Sequence, residues 1–193
     1  MLERIQDRSR IGWLGEKIGT QLHGAQKALA QWAILDDYNA ILDMRCSNVN
    51  LLRALARKFS LRTCGIADNA QEARALQQAM PDAEIFCARR EDIPWRDGCF
   101  DTVFYHMHKN EDESCDFLKE AMRVLKPNGQ MLIAVSGMPE ILCSAADVTG
   151  VGDMEGHIKP HTLLKEMENA GFADVSYRVS RPFVGIAMGW KRE

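Results

Sequence analysis

From residue 40 onward the chain alternates short apolar runs with helical patterns, and this alternation restricts its fold more than any other feature. "AILDMR" is followed by "NLLRALARKF", and "RTCGIA" by "AQEARALQQAM". "AEIFCA" and "CFDTVFYHM" come next, then "ESCDFLKEAMRVL" and "QMLIAVSG". The first run of each pair reads as a buried strand, the second as an amphipathic helix. Strands separated by single helices need crossover connections, which makes the sheet mostly parallel and covered on both faces. "HTLLKEMENAG" is a late helix closed by Gly171, and "ADVSYRVSRPFVGIAMGWKR" reads as two strands turning near Arg181–Pro182. That pair has almost no room for a crossover, so it is antiparallel. The expected architecture is α/β: a doubly wound, Rossmann-like sheet with an antiparallel C-terminal strand. In such sheets ligands sit at the carboxyl ends of the strands, near the switch point beside the first one.

Ahead of this core, Leu14, Ile18, Leu22, Ala25, Leu29 and Trp32 fall at spacings of three and four, one apolar stripe on a helix near residues 11–34. "DDYN" ends that pattern. No repeat or linker interrupts the chain. The reading is a single domain, with residues 1–37 as a helical cap and 38–193 as the core. Its 193 residues are enough for one full-sized core. At 46% hydrophobic and 26% charged residues the composition is that of a globular protein, and a net charge of -3 gives no reason to expect nucleic acid. No apolar run approaches the roughly 20 residues that span a bilayer. The charged opening "MLERIQDRSR" is unlike a signal peptide. The six cysteines show no CxxC spacing, which points to free thiols and a cytoplasmic setting.

Several segments resemble one family, the class I S-adenosylmethionine-dependent methyltransferases, in their small UbiE-like (methyltransferase type 11) branch. "ILDMRCSNVNLLRALA" resembles the family's first motif, an acidic strand end followed by Gly-Cys-Gly-x-Gly. "IPWRDGCFDTVFYHMH", "FLKEAMRVLKPNGQMLIA" and "LLKEMENAGFADV" are similar to its later segments, in the expected order over residues 38–190. The resemblance implies the class I fold, S-adenosylmethionine as cofactor and a small-molecule acceptor.

Around the cofactor, however, the pattern is altered. Arg45, Ser47 and Val49 stand at the three glycine positions of the first loop, with Cys46 at the family's own cysteine. A β-branched Val49 would suit positive φ poorly, and Arg45 would bring a cation to the place of a sulfonium. Ala67 stands where the family presents an acid to the ribose hydroxyls, with Asp68 one residue late and, by strand alternation, facing away. Arg89, followed by Arg90, occupies the acidic position beside the adenine. Glu91 and Asp92 are candidates to substitute, and only Asp43 of the usual acidic set is in place.

Three readings follow. In the first, the protein is a degenerate methyltransferase-fold module that binds or regulates without ordinary use of S-adenosylmethionine. In the second, it is an active enzyme with a rearranged cofactor loop, using Asp43, Asp68 and Glu91 or Asp92. His106 and His108, at i, i+2 on the fourth strand's end, would then be acceptor-side bases. In the third, Arg45 and Arg89 receive another anionic ligand; the alternative use for these cations is internal pairing with Asp43, Asp68, Glu91 or Asp92. His157 and His161 could extend the histidines into a metal site, but nothing in the spacing fixes such a geometry, and no metal is expected. A homo-oligomer or protein partner is compatible with all three readings.

Overall fold

The computed structural model describes residues 22, 24–107, 115–138, 159–181 and 183–193. Within them, helices α1 (Gly24–Trp32), α2 (Asn50–Ala56), α3 (Ala70–Ala79), α4 (Phe117–Val124) and α5 (Pro160–Asn169) accompany strands β1 (Ala40–Asp43), β2 (Arg62–Ala67), β3 (Glu84–Cys87), β4 (Phe100–Met107), β5 (Leu125–Met138), β6 (Ala173–Arg181) and β7 (Phe183–Trp190). The part of the N-terminal helical stripe before Leu22 lies outside the described residues.

The seven strands form one sheet in the order β3-β2-β1-β4-β5-β7-β6. β1 to β5 pair in parallel, and β7 runs antiparallel to both β5 and β6. The closing hairpin therefore forms one edge, with β7 inserted and β6 outermost. The order reverses between β1 and β4, so their carboxyl ends flank the switch point.

The strand sequences explain how the layers divide. Ile41, Ala67, Phe104, Leu132 and Ala134 point into one core with Leu29 of α1, Leu52 of α2 and Leu76 of α3. Their strand neighbours Leu42, Ile66, Tyr105, Met131 and Ile133 point into the other, with Phe117 and Ala121 of α4 and Leu163 of α5. Alternation with period two in strands apolar on both faces makes a three-layer structure. All four residues of β1 are buried, as a central parallel strand requires.

Local chemistry fixes the ends of the elements. Asn69 caps α3 by accepting from the Glu72 backbone N–H at 2.8 Å. Gly171, at φ 100°, closes α5, its N–H bonding to the Glu168 carbonyl and that of Phe172 to the Met167 carbonyl. β5 starts earlier than its apolar run, because Leu125 already pairs with Phe100. The intervening "KPNG" turn works because Asn128 accepts φ 63° and Gly129 has no Cβ; one there would sit 2.9 Å from the Lys126 carbonyl oxygen. Arg123 clamps the "IPW" segment to α4, donating to the Trp95 carbonyl at 2.8 Å and the Ile93 carbonyl at 3.2 Å while pairing with Glu120 and Asp97.

Gln130 joins α1's exit to the sheet. Buried on β5, it accepts from the Ile34 N–H at 3.3 Å and donates to the Ile34 carbonyl and to Thr102 Oγ1 at 2.9 Å. Gln130→Leu keeps the volume and strands these partners, so chemical denaturation is expected to show a loss of about 2–4 kcal/mol. An unchanged midpoint would mean that the three bonds are replaced elsewhere.

Candidate functional site

The carboxyl ends of β1, β2, β3 and β4 gather most of the residues singled out by the sequence. At the end of β1, Asp43 is only 5% exposed, and its Oδ1 accepts from the Arg45 N–H at 3.1 Å. Burial raises its pKa from 3.8 to about 7, the single backbone bond offsetting only part of the desolvation. Asp43 is thus a carboxyl balanced between its charged and neutral forms at neutrality.

The loop that follows corrects one expectation. Val49 has φ −84° and ψ 7°, and none of Met44 to Val49 has positive φ. The missing glycines therefore create no strained backbone; the loop takes a path that ordinary residues follow. Val49 is buried, its carbonyl starts α2 by accepting from Arg53, and its side chain joins the α1–α2–α3 core. Ser47 is exposed, and its N–H bonds back to the Arg45 carbonyl at 3.0 Å. Arg45 is half-buried and engaged. Asn48 holds the turn through its Oδ1, which accepts from Gln26 Nε2 at 2.8 Å and from the Asn50 N–H at 3.1 Å.

Cys46 shows where a glycine is needed instead. Its N–H donates to the Ile66 carbonyl at 2.8 Å, drawing the loop against β2. There, a Cβ on Gly65 would lie 2.9 Å from Cys46 Cβ. The close approach absent from the loop has its glycine in the neighbouring strand. Cys46 itself is buried, with its thiol pKa raised by burial and then by the charges of Asp43 and Glu72; it is a packing residue rather than a nucleophile.

At the end of β2, Ala67 is 1% exposed within the core, whereas Asp68 stands outside it. Asp68 lies one residue past the end of β2, outside the layers that bury Ala67. Asp68 is not solitary: Arg90 Nη2 donates to its Oδ1. The Arg90 guanidinium also lies 6.0 Å from the centroid of the Tyr105 ring, which is itself stacked on Phe117 at 4.2 Å. Arg90 Nε is buried with no hydrogen-bond partner, a desolvation worth on the order of 1–3 kcal/mol against this arrangement.

Arg89 and Arg90 thus have different roles. A bridge between Arg89 and Asp92 turns the chain, leaving the Arg89 side chain 84% exposed and near Glu91 at 3.4 Å. Glu91 and Asp92 are exposed as well. The sequence places the two arginines side by side; the turn brings only Arg90 to Asp68.

At the end of β4, His106 Nε2 is 2.7 Å from Ser136 Oγ on the adjacent strand β5. Ser136 was not among the sequence candidates, because it reaches His106 only through the register that sets β4 beside β5. His108 and His157 lie outside the described residues, and His161 is exposed on α5. Among the described residues no group of His, Cys, Asp and Glu is arranged to hold a metal, and each described cysteine is a free thiol. No described helix is long and apolar enough to cross a membrane.

Comparison with known proteins agrees with this architecture. Residues 42–133 match the family described as methyltransferase domain. A curated relative, the 2-methyl-6-phytyl-1,4-hydroquinone methyltransferase of Synechocystis sp. (strain ATCC 27184 / PCC 6803 / Kazusa), is 30% identical over 114 residues. That match takes in 55% of this chain and 36% of the relative, so the chain spans little more than a third of the relative's length. Among solved structures, a chain of the complex containing the Haloferax volcanii Trm112 methyltransferase activator superposes with a TM-score of 0.71 at 16% identity, covering 96% of this chain and 95% of that one. A SAM-dependent methyltransferase from Aquifex aeolicus gives 0.67 at 19%, covering 95% and 98%. The [4+2]-cyclase SpnF also gives 0.67, at 18%, covering 86% and 80%. Just under half of the chain thus resembles a methyltransferase domain, and its sheet has the class I methyltransferase fold. At these identities the solved structures define the fold alone, and one fold hosts several chemistries.

Proposed function

We propose that this chain is a methyltransferase-fold module whose cofactor end does not take S-adenosylmethionine in the ordinary way, and which acts by binding or regulation. One observation carries this reading: Arg90 pairs with Asp68 and lies over Tyr105, so the carboxylate next to the family's ribose position is engaged rather than free. Ala67 offers no replacement, and Asp43 is partly neutral near pH 7. Two lost carboxylate contacts at ~1–3 kcal/mol each amount to about one and a half to four orders of magnitude in affinity. A protein partner fits such a role, and one structural neighbour comes from a complex with a methyltransferase activator.

Thermal shift tests the reading. A cofactor present at 100 times its Kd stabilises by about 2.7 kcal/mol. In a protein of this size that raises Tm by roughly 5–10 °C. With 1 mM S-adenosylmethionine, a Kd weaker than about 0.2 mM gives roughly 1 kcal/mol or less, a rise under about 4 °C; a rise of about 5–10 °C would overturn the proposal.

The second reading, an active small-molecule methyltransferase with a rearranged loop, draws support from the unstrained path of residues 44–49 and the His106–Ser136 pair at the acceptor edge. Transfer would proceed by in-line attack on the sulfonium methyl, with catalysis by positioning and His106 as base. It requires turnover that falls in Asp43→Ala and Asp68→Ala; turnover indifferent to both would end it. Reception of an anion by Arg45 and Arg89 has less support, since Arg89 faces solvent and Glu91.

A further inference from the structure

Arg90 combines features that a structural ion pair does not need. Its side chain is three-quarters buried, with 24% exposure, while its partner Asp68 is 55% exposed. Nη2 bonds the carboxylate while Nε is buried without a partner, although Nε and Nη2 together form the edge that grips a carboxylate with two bonds. The flat head lies over the face of Tyr105. The pair Arg62–Glu84, at the other end of β2 and β3, shows the fuller arrangement, with Nε and Nη2 both bonded, at 2.8 and 2.7 Å. Arg90 fills its place without completing its bonds.

We infer that Asp68 and Tyr105 form a recognition site for a small planar organic cation, of the guanidinium or amidinium class, and that Arg90 is an internal latch occupying it. The carboxylate supplies charge and hydrogen-bond acceptors, and the ring supplies a negative π-face. The site excludes free anions by its own charge, which separates it from the arginine-lined receptor expected from sequence. Because the latch forfeits one of its bonds, a ligand that satisfies Asp68 fully displaces it more readily than it would displace Arg62 from Glu84. The inference rests on the proposed function only in taking the site of the natural protein as occupied.

Methylguanidinium, the head of the arginine side chain, is the probe. Calorimetric titration of the folded Arg90→Ala protein is expected to show saturable binding. Binding should be at least tenfold weaker in the natural protein and in the double variant Arg90→Ala/Asp68→Asn. Absence of saturable binding in Arg90→Ala, or binding that survives Asp68→Asn, overturns the inference. If Arg90→Ala does not fold, the unsubstituted protein decides: its Arg90 Nε–H should give a distinct, exchange-protected NMR signal that is lost in Asp68→Asn. A rapidly exchanging Arg90 Nε–H in the unsubstituted protein would refute the latch. A titration of the natural protein with S-adenosylmethionine runs separately; binding there refutes the proposed function and leaves the methylguanidinium result to judge the latch.

Discussion

Asp43→Asn is expected to gain stability over the natural protein as pH rises from about 4 to about 8. The carboxyl titrates at 3.8 in the open chain and at about 7 when folded. Between those values the folded state keeps a proton that the unfolded state releases, so Asp43 makes stability fall with rising pH through this window. Its contribution is fully present below pH 3.8 and is lost as pH climbs through about 7. Roughly three pKa units at 1.36 kcal/mol each make the full swing about 4 kcal/mol. Asparagine keeps the acceptor for the Arg45 N–H and cannot ionise. Other carboxylates pull the opposite way: Arg123 holds Glu120, and Arg62 holds Glu84, below the ordinary range. The informative quantity is therefore the difference between variant and natural protein, from urea unfolding at several pH values. It should widen by several kcal/mol between pH 4 and pH 8. A difference that stays constant would mean that Asp43 is charged throughout.

Gly65→Ala is expected to destabilise by about 1–3 kcal/mol through overpacking. The new methyl would meet Ile85 Cδ1 and Cys46 Cβ, each at 2.9 Å. The isoleucine end can swing aside, but Cys46 is tied by its backbone to Ile66 and cannot. The strain therefore falls on the first loop. Cys46→Gly removes the opposing atoms, so Gly65→Ala should cost little in that background. Strong non-additivity between the two changes, read from unfolding midpoints, is the expected signature. Simple additivity would show that the loop and β2 do not share this contact.

These two residues show what a sequence reveals and what it hides. "RTCGIA" reads as a strand and is one, Arg62 to Ala67, because its apolar residues serve two cores at period two. The parallel core and the antiparallel closing pair follow from the same periodicity and from loop length. The loop after β1 was harder. Losing glycines signals that a backbone has changed, not what it becomes, and Val49 proved to sit at φ −84°. Gly65 looked like an ordinary strand residue because its constraint comes from Cys46, distant in the pairing pattern. The acidic and basic positions divided likewise. Ala67 is inside and Asp68 outside because β2 ends between them. Arg89 and Arg90 lie beyond β3, where no periodicity applies, and the Arg89–Asp92 bridge determines which one turns inward. His106 was legible from its place at a strand end; its partner Ser136 needed the register that sets β4 beside β5.

In the proposed function, the end of the sheet that should hold a nucleoside cofactor is closed by the chain's own side chains. Calorimetric titration of the natural protein with S-adenosylhomocysteine at pH 7.5 tests it most directly, because the product analogue binds without being consumed. No saturable heat is expected at ligand concentrations of up to several hundred micromolar, corresponding to binding weaker than about −5 kcal/mol. Stoichiometric binding with a micromolar Kd would contradict it.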